Sequence, residues 1–189
     1  MKCCSNPTIG RSPNCCSWTS PFSGRNVNDT SIEHHGRYPF RRQKHPAGCA
    51  RACVEMILVH FKVRISEAQL SRVLADSPKG HSLESVINAC NGFGIGACAG
   101  RIELNVLFDE NHNWQFPCIA HCLGNHYCVI YNVERSKAVV ADPLNGWRLL
   151  SKDAFSYYWS AVSNTPSLSG VVIVFQNENT RKGSMGISP

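Results

Sequence analysis

The chain has 189 residues, 43% of them hydrophobic and 17% charged, enough apolar material for one folded domain with tails and too much for a disordered polymer. Its formal charge of +6 is unevenly placed: residues 1–44 carry seven Lys/Arg against Asp29 and Glu33, and the remainder carries twelve against eleven. The folded part is therefore close to neutral and offers no broad basic surface for nucleic acid.

Residues 1–42 are rich in Ser, Asn, Pro, Gly and Arg without sustained period, and read as a disordered or non-domain extension. The opening Met-Lys-Cys-Cys-Ser-Asn-Pro has no apolar run behind its lysine, so no secretory signal is expected. No stretch of the chain is long and apolar enough to span a bilayer. Eleven cysteines, an odd count without a signal, favour a reducing compartment and mostly free thiols. The adjacent pairs Cys3-Cys4 and Cys15-Cys16 lack the two-to-four-residue spacing of a zinc site and read as exposed thiols, so neither a metal nor a cofactor is expected.

At Gln43 the pattern changes. Gln-Lys-His-Pro-Ala-Gly-Cys leads into Ala50, Cys53, Val54, Ile57, Leu58 and Phe61 at spacings of three and four, which predicts a helix from about Cys49 to Phe61. Ser66-Glu67-Ala68-Gln69 has the form of a capping box and starts a second helix through about Leu74. Gly80-His81-Ser82 introduces a third, with Leu83, Val86, Ile87, Cys90 and Phe93 on one face and Gly92 or Gly94 to end it. A strand over 95–102 and a short helix over 103–108 follow, then a polar loop over 109–113. From Phe116 the period is two. Strands over 116–122 and 126–133 flank a Leu123-Gly124-Asn125 hairpin turn, 137–141 and 147–150 flank the turn Asp142 to Gly146, and 170–175 is a last strand after a helix over 151–159. The expected class is α+β, helices first and an antiparallel sheet second, over residues 43–175, with a polar tail from 176 to 189.

A cysteine in the first turn of a helix is a candidate nucleophile, because backbone N–H groups and the positive end of the macrodipole favour its thiolate. It needs a base, a carboxylate to orient that base, and oxyanion donors. His121 and His126 flank the hairpin turn, Asp142 ends the next strand, and Gln43 stands six positions before Cys49 as a candidate donor. In a meander of strands, His126 and Asp142 would share one end of the sheet. Cys53, one turn beyond Cys49, reads as core. His34, His35, His45, His60, His81 and His112 read as surface or packing residues.

These motifs resemble the papain-like cysteine peptidases of the double-glycine leader peptidase family, the peptidase domains of bacteriocin-processing ABC exporters. The resemblance rests on Gln43-x5-Cys49-x3-Cys53, Gly80-His81-Ser82-Leu83, Pro117-Cys118-Ile119-Ala120-His121, His126-Tyr127-Cys128-Val129-Ile130, Ala141-Asp142-Pro143-Leu144-Asn145-Gly146 and the aromatic helix before Trp159. It implies a papain-like fold with Cys49 as nucleophile, His126 as base, Asp142 as its orienter and Gln43 as oxyanion donor, and it makes His121 the non-catalytic histidine. It further implies hydrolysis after a Gly-Gly pair in the leader peptide of a bacteriocin-like secreted precursor, in the cytoplasm or at the cytoplasmic face of the inner membrane through an ABC exporter. Gly48 stands where the family often has an acidic residue and Ala50 where it usually has glycine. The residues leave two other uses open: a non-catalytic docking module of an export system, and a papain-like effector or transferase with another substrate.

Overall fold

In a computed structural model of the chain, residues 36–111, 114–160 and 165–176 are described. The two adjacent cysteine pairs, His34, His35, His112, most of the leading segment and the polar tail beyond Gln176 lie outside the described residues. No helix among the described residues is long and apolar enough to cross a membrane.

Helix α1 (Cys49–His60) is the central element, with Ala50, Cys53, Val54, Met56, Ile57 and Leu58 buried. Its end is sharp: the Val63 N–H bonds back to Leu58 O at 2.8 Å and the Lys62 N–H to Val59 O at 3.0 Å, with Lys62 at φ 59°. Helix α2 (Glu67–Val73) starts in the expected capping box, Ser66 Oγ accepting from the Gln69 N–H and Gln69 Oε1 from the Ser66 N–H. Helix α3 (Leu83–Gly92) is capped by Ser82 Oγ and stops at Gly94, whose φ of +80° lets the Ile95 N–H reach Cys90 O at 3.0 Å.

The sheet comprises β1 (Gly96–Glu103), β2 (Cys118–Cys122), β3 (His126–Glu134), β4 (Lys137–Asp142), β5 (Gly146–Ser151) and β6 (Ser169–Gln176) in the order β1-β6-β2-β3-β4-β5, every neighbouring pair antiparallel. Two short helices interrupt it, α4 (Leu104–Leu107) and α5 (Lys152–Trp159). Side chains alternate between two cores. Ile119, Tyr127, Val129, Tyr131 and Ile173 pack against α1 and α3, whereas Cys118, Ala120, Cys128, Ile130 and Val172 pack against Leu104, Leu107, Phe155, Tyr158 and Trp159. The central strands are thus covered on both faces, which is why β2 and β3 read as nearly unbroken apolar runs.

Packing begins before Gln43, the expected domain start. Tyr38 stacks on Tyr131 with ring centroids 4.6 Å apart, Phe40 lies 5.7 Å from Trp147, and Tyr131 Oη donates to Pro39 O at 2.6 Å. The reason is aromatic area: a segment that composition marks as polar carries rings that cover the exposed edge of the α1 core. Arg42 then donates to Leu144 O at 2.9 Å and the Gln43 N–H to Pro143 O at 3.0 Å, laying the strap beside the turn after β4.

Candidate active site

Cys49 is the first residue of α1 and is buried. Gly48 precedes it at the cap position with no side chain to accept from the first-turn N–H groups, and the first turn holds no acidic residue. The helix terminus therefore keeps its positive end for the sulfur. A Cβ at position 48 would sit 3.2 Å from His45 O, so the loop closes tightly just before Cys49. Ala50 is buried in the core without displacing the helix.

Helix α1 packs on β3, whose first residue is His126. The imidazole hydrogen-bonds to the Cys49 thiol, and backbone N–H groups of Tyr127 and Ala50 also reach that sulfur. Nε2 of His126 lies 2.9 Å from Asp142 Oδ1, which leaves Nδ1 to face the thiol. Burial opposes charge on all three groups. On Cys49 it is outweighed by the hydrogen bond and positive charge of His126, so the thiol titrates below its ordinary 9.0. On His126 it is outweighed by hydrogen bonds and negative charge from Asp142 and Cys49, raising the imidazole from 6.5 to about 10. On Asp142 it is outweighed by His126, Tyr158 and Asn145, which hold the carboxyl well below the usual carboxylate range. The electrostatics of the three groups thus favour a thiolate on Cys49, an imidazolium on His126 and a carboxylate on Asp142.

Asp142 is fully buried at the end of β4. Its Oδ1 accepts from His126 and from the Leu144 and Asn145 N–H groups at 2.8 and 3.1 Å. Its Oδ2 accepts from Asn145 Nδ2 at 2.7 Å and from the Tyr158 hydroxyl. Neither side chain is singled out by the sequence reading. An Asp-x-x-Asn turn is a local signal for Asn145; for Tyr158 only the aromatic character of α5 points to it, since the contact spans sixteen residues.

Gln43 is brought to the same corner by the strap, but its amide points at its own loop. Nε2 donates to His45 O and Pro46 O, both at 2.9 Å, and the buried Oε1 has no hydrogen-bond partner. Both amide hydrogens are thus engaged beside Gly48. His121 lies apart, with its ring 4.9 Å from Tyr127, and is held below its ordinary value by burial and by the charge on His126. His45 faces Asp76, Nε2 to Oδ2 3.3 Å. Cys53 is buried, its thiol pushed well up by burial. Among the described residues Cys49, Cys53, Cys90, Cys98, Cys118, Cys122 and Cys128 are free thiols.

The fold has known counterparts. A double glycine motif protease from an AMS/PCAT transporter, solved with its leader peptide, superposes with a TM-score of 0.63 at 24% identity over 74% of this chain and 91% of that one. The peptidase domain of Streptococcus ComA, a bi-functional ABC transporter, superposes with a TM-score of 0.63 at 20% identity, over 74% and 98%. Among curated proteins, the colicin V secretion/processing ATP-binding protein CvaB of Escherichia coli is 30% identical over 137 residues, 72% of this chain. The mesentericin-Y105 transport/processing ATP-binding protein MesD of Leuconostoc mesenteroides is 28% identical over 135 residues, 68% of this chain. The chain spans only 19% and 18% of the length of these two relatives. The model of the Peptidase C39 family matches residues 37–167, taking in the strap, α1 and every member of the constellation. With that match over more than half its length, this chain belongs to the Peptidase C39 family.

Proposed function

We propose that the chain is a cysteine endopeptidase that cleaves leader peptides after a Gly-Gly pair, with Cys49 as nucleophile, His126 as base and acid, and Asp142 as orienter. The observation that carries this is the hydrogen-bonded line from the Cys49 thiol through His126 to Asp142 Oδ1, anchored at a helix N-terminus. A docking module has no need of a thiolate held ready by a buried imidazolium.

The thiolate attacks the scissile carbonyl carbon, forming the C–S bond and moving an electron pair onto the carbonyl oxygen. The oxyanion lies near the start of α1, where first-turn N–H groups lack intrahelical partners. Gln43 joins them by giving up one of its two carbonyl partners when substrate arrives. As the intermediate collapses, the C–N bond breaks and His126 delivers its proton to the departing amine. A water then loses a proton to His126, attacks the thioester, and frees the acid and the thiolate.

The loop bearing Gly80 and His81 favours substrates without side chains at the cut. Tyr127 Oη donates to His81 O at 3.2 Å, and a Cβ on Gly80 would lie 3.7 Å from Ala47 O, so this loop runs close beside the nucleophile's own. The printed names of the relatives support the rest: secretion/processing ATP-binding proteins for an exporter as partner, and a leader-peptide complex for the substrate class. On this reading the domain works at the cytoplasmic face of a membrane.

The test is cleavage of a synthetic precursor peptide with Gly-Gly before the scissile bond, beside versions with either glycine changed to Ala and beside unrelated peptides. Cleavage after the second glycine, lost in Cys49→Ala and lowered at least about tenfold by either Ala, is expected. Cleavage indifferent to the pair, or retained in Cys49→Ala, refutes the proposal.

A further inference from the structure

We infer that Tyr158 is a positioning residue of this site: its hydroxyl, with the Asn145 amide, holds the outer oxygen of Asp142 and takes up part of its charge, so that helix α5 governs how firmly His126 keeps its proton. The inference rests on the proposed roles of Cys49, His126 and Asp142.

The geometry is a division of labour across one carboxylate. Oδ1 faces His126 and the two turn N–H groups. Oδ2 faces away, into the core under β4, and meets Tyr158 and Asn145. Tyr158 is buried beside Phe155 in the helix that follows β5, so its ring cannot swing aside. Burial, followed by the neighbouring thiol Cys128 and the carboxylate of Asp142, pushes the phenol well up, so it stays protonated and acts only as a donor.

The other charged and titratable groups nearby leave Tyr158 this role. On β5, Arg148 lies over the outer side of its ring, 5.6 Å from the centroid, and supplies no hydrogen bond to Asp142. On β2 and β3, Cys122 and Cys128 sit sulfur to sulfur at 3.5 Å beneath the carboxylate, and Cys128 is held neutral, chiefly by burial. Cys53 on α1 is buried and neutral in the same way. His121 on β2 acts on His126 only through charge. Cys49 completes the set on the far side of the imidazole.

A donor on Oδ2 draws charge from Oδ1. Without it, the carboxylate pulls harder on the imidazolium N–H. A proton held more tightly by His126 is a proton delivered more slowly to the leaving amine. The hydroxyl therefore moderates the base while the turn N–H groups fix its direction.

The experiment is Tyr158→Phe, which keeps the ring and its packing, with Asn145→Ala as a second variant on the same oxygen that leaves α5 untouched. Imidazole NMR on the whole chain reads the His126 Nε2–H resonance at neutral pH, and site-resolved alkylation of Cys49 by iodoacetamide reads the pH at which His126 loses its proton. In both variants the resonance moves downfield and the alkaline inflection moves to higher pH. The kcat for a Gly-Gly peptide falls several-fold with KM unchanged, and the double variant goes further in the same direction. An unmoved resonance and inflection in Tyr158→Phe overturns the inference, and so does movement upfield or to lower pH, which would mean that the hydroxyl only steadies the carboxylate. Failure of the underlying reading looks different: Cys49 in the unsubstituted protein would then alkylate at neutral pH no faster than the exposed Cys98.

Discussion

Replacing His126 with Ala should return Cys49 to an unreactive thiol, and the size of the loss can be worked from the site. The imidazole rises from 6.5 to about 10, against the opposing effect of its own burial. At about 1.4 kcal/mol per unit, this corresponds to about 5 kcal/mol in favour of the imidazolium. The side chain is only 12% exposed, so solvent screens little of it. Cys49 feels the same partner: the hydrogen bond and charge of His126 are what overcome burial and lower its thiol below 9.0. Without them burial is opposed only by the backbone N–H groups of Tyr127 and Ala50, and a thiol back at its ordinary 9.0 is about 1% ionised at pH 7. A less acidic thiol gives a more nucleophilic thiolate, with a dependence of about 0.4–0.5 on a logarithmic scale, so the labelling rate at pH 7 falls by less than the ionised fraction does. The assay is the rate of iodoacetamide labelling of Cys49, resolved by mass spectrometry, from pH 5 to 10. The unsubstituted protein should label on a plateau through neutral pH, whereas His126→Ala should still be climbing beyond pH 9. Equal rates at pH 7, or a rate in the unsubstituted protein that climbs tenfold per unit through pH 7 to 9, would refute the ion-pair reasoning.

The same pair predicts an unusual dependence of stability on pH. Taken alone, His126 contributes stability that is complete below 6.5 and lost as pH rises through about 10; Cys49 contributes stability present above 9.0 and lost as pH falls through its lowered folded value. Where pH is above both 6.5 and the lowered Cys49 value and below 9.0, the folded pair and the unfolded residues hold the same number of protons, so unfolding free energy from urea titrations should be level there and should decline above 9.0. Cys49→Ala should tilt the level region into a steady decline with rising pH, and a level region surviving in that variant sinks the argument. Away from the site, Gly170→Ala should be severe, because a Cβ there would overlap the buried indole of Trp159 at Cε2. Overpacking of this kind should cost about 3 kcal/mol and lower Tm by roughly 10 °C, and a loss under about 1 kcal/mol would show that the indole moves freely.

Much of this protein is written in local pattern. The helix period after Cys49, the capping box at Ser66 and the glycine stop at Gly94 are signals over four to twelve residues, and each element they predict is present within a residue or two. The strands over 118–122, 126–134 and 137–142 follow the same logic, because a hairpin turn between β-rich runs leaves little choice of partner. Candidates for nucleophile, base and carboxylate were legible because chain order and element ends are local facts.

Other features rest on contacts between distant residues, which no local period encodes. The strap of Tyr38 and Phe40 looks like more polar extension until Tyr131 and Trp147 are beside it. Gln43 is recognisable as an amide near Cys49, yet only the folded loop shows its hydrogens turned to His45 and Pro46. Of His121 and His126, between which the residues alone leave the choice open, it is His126 that lies against Cys49 and Asp142 when α1 packs on β3. Tyr158 shows the limit most plainly. Sixteen residues separate it from Asp142, with a strand and most of a helix between them, and the pairing exists because the sheet is covered on both faces and α5 closes the second one over a buried carboxylate. Local chemistry determined which residues were able to react; the burial and alignment that charge them belong to the tertiary structure, because desolvation and hydrogen bonding depend on what surrounds a group in space.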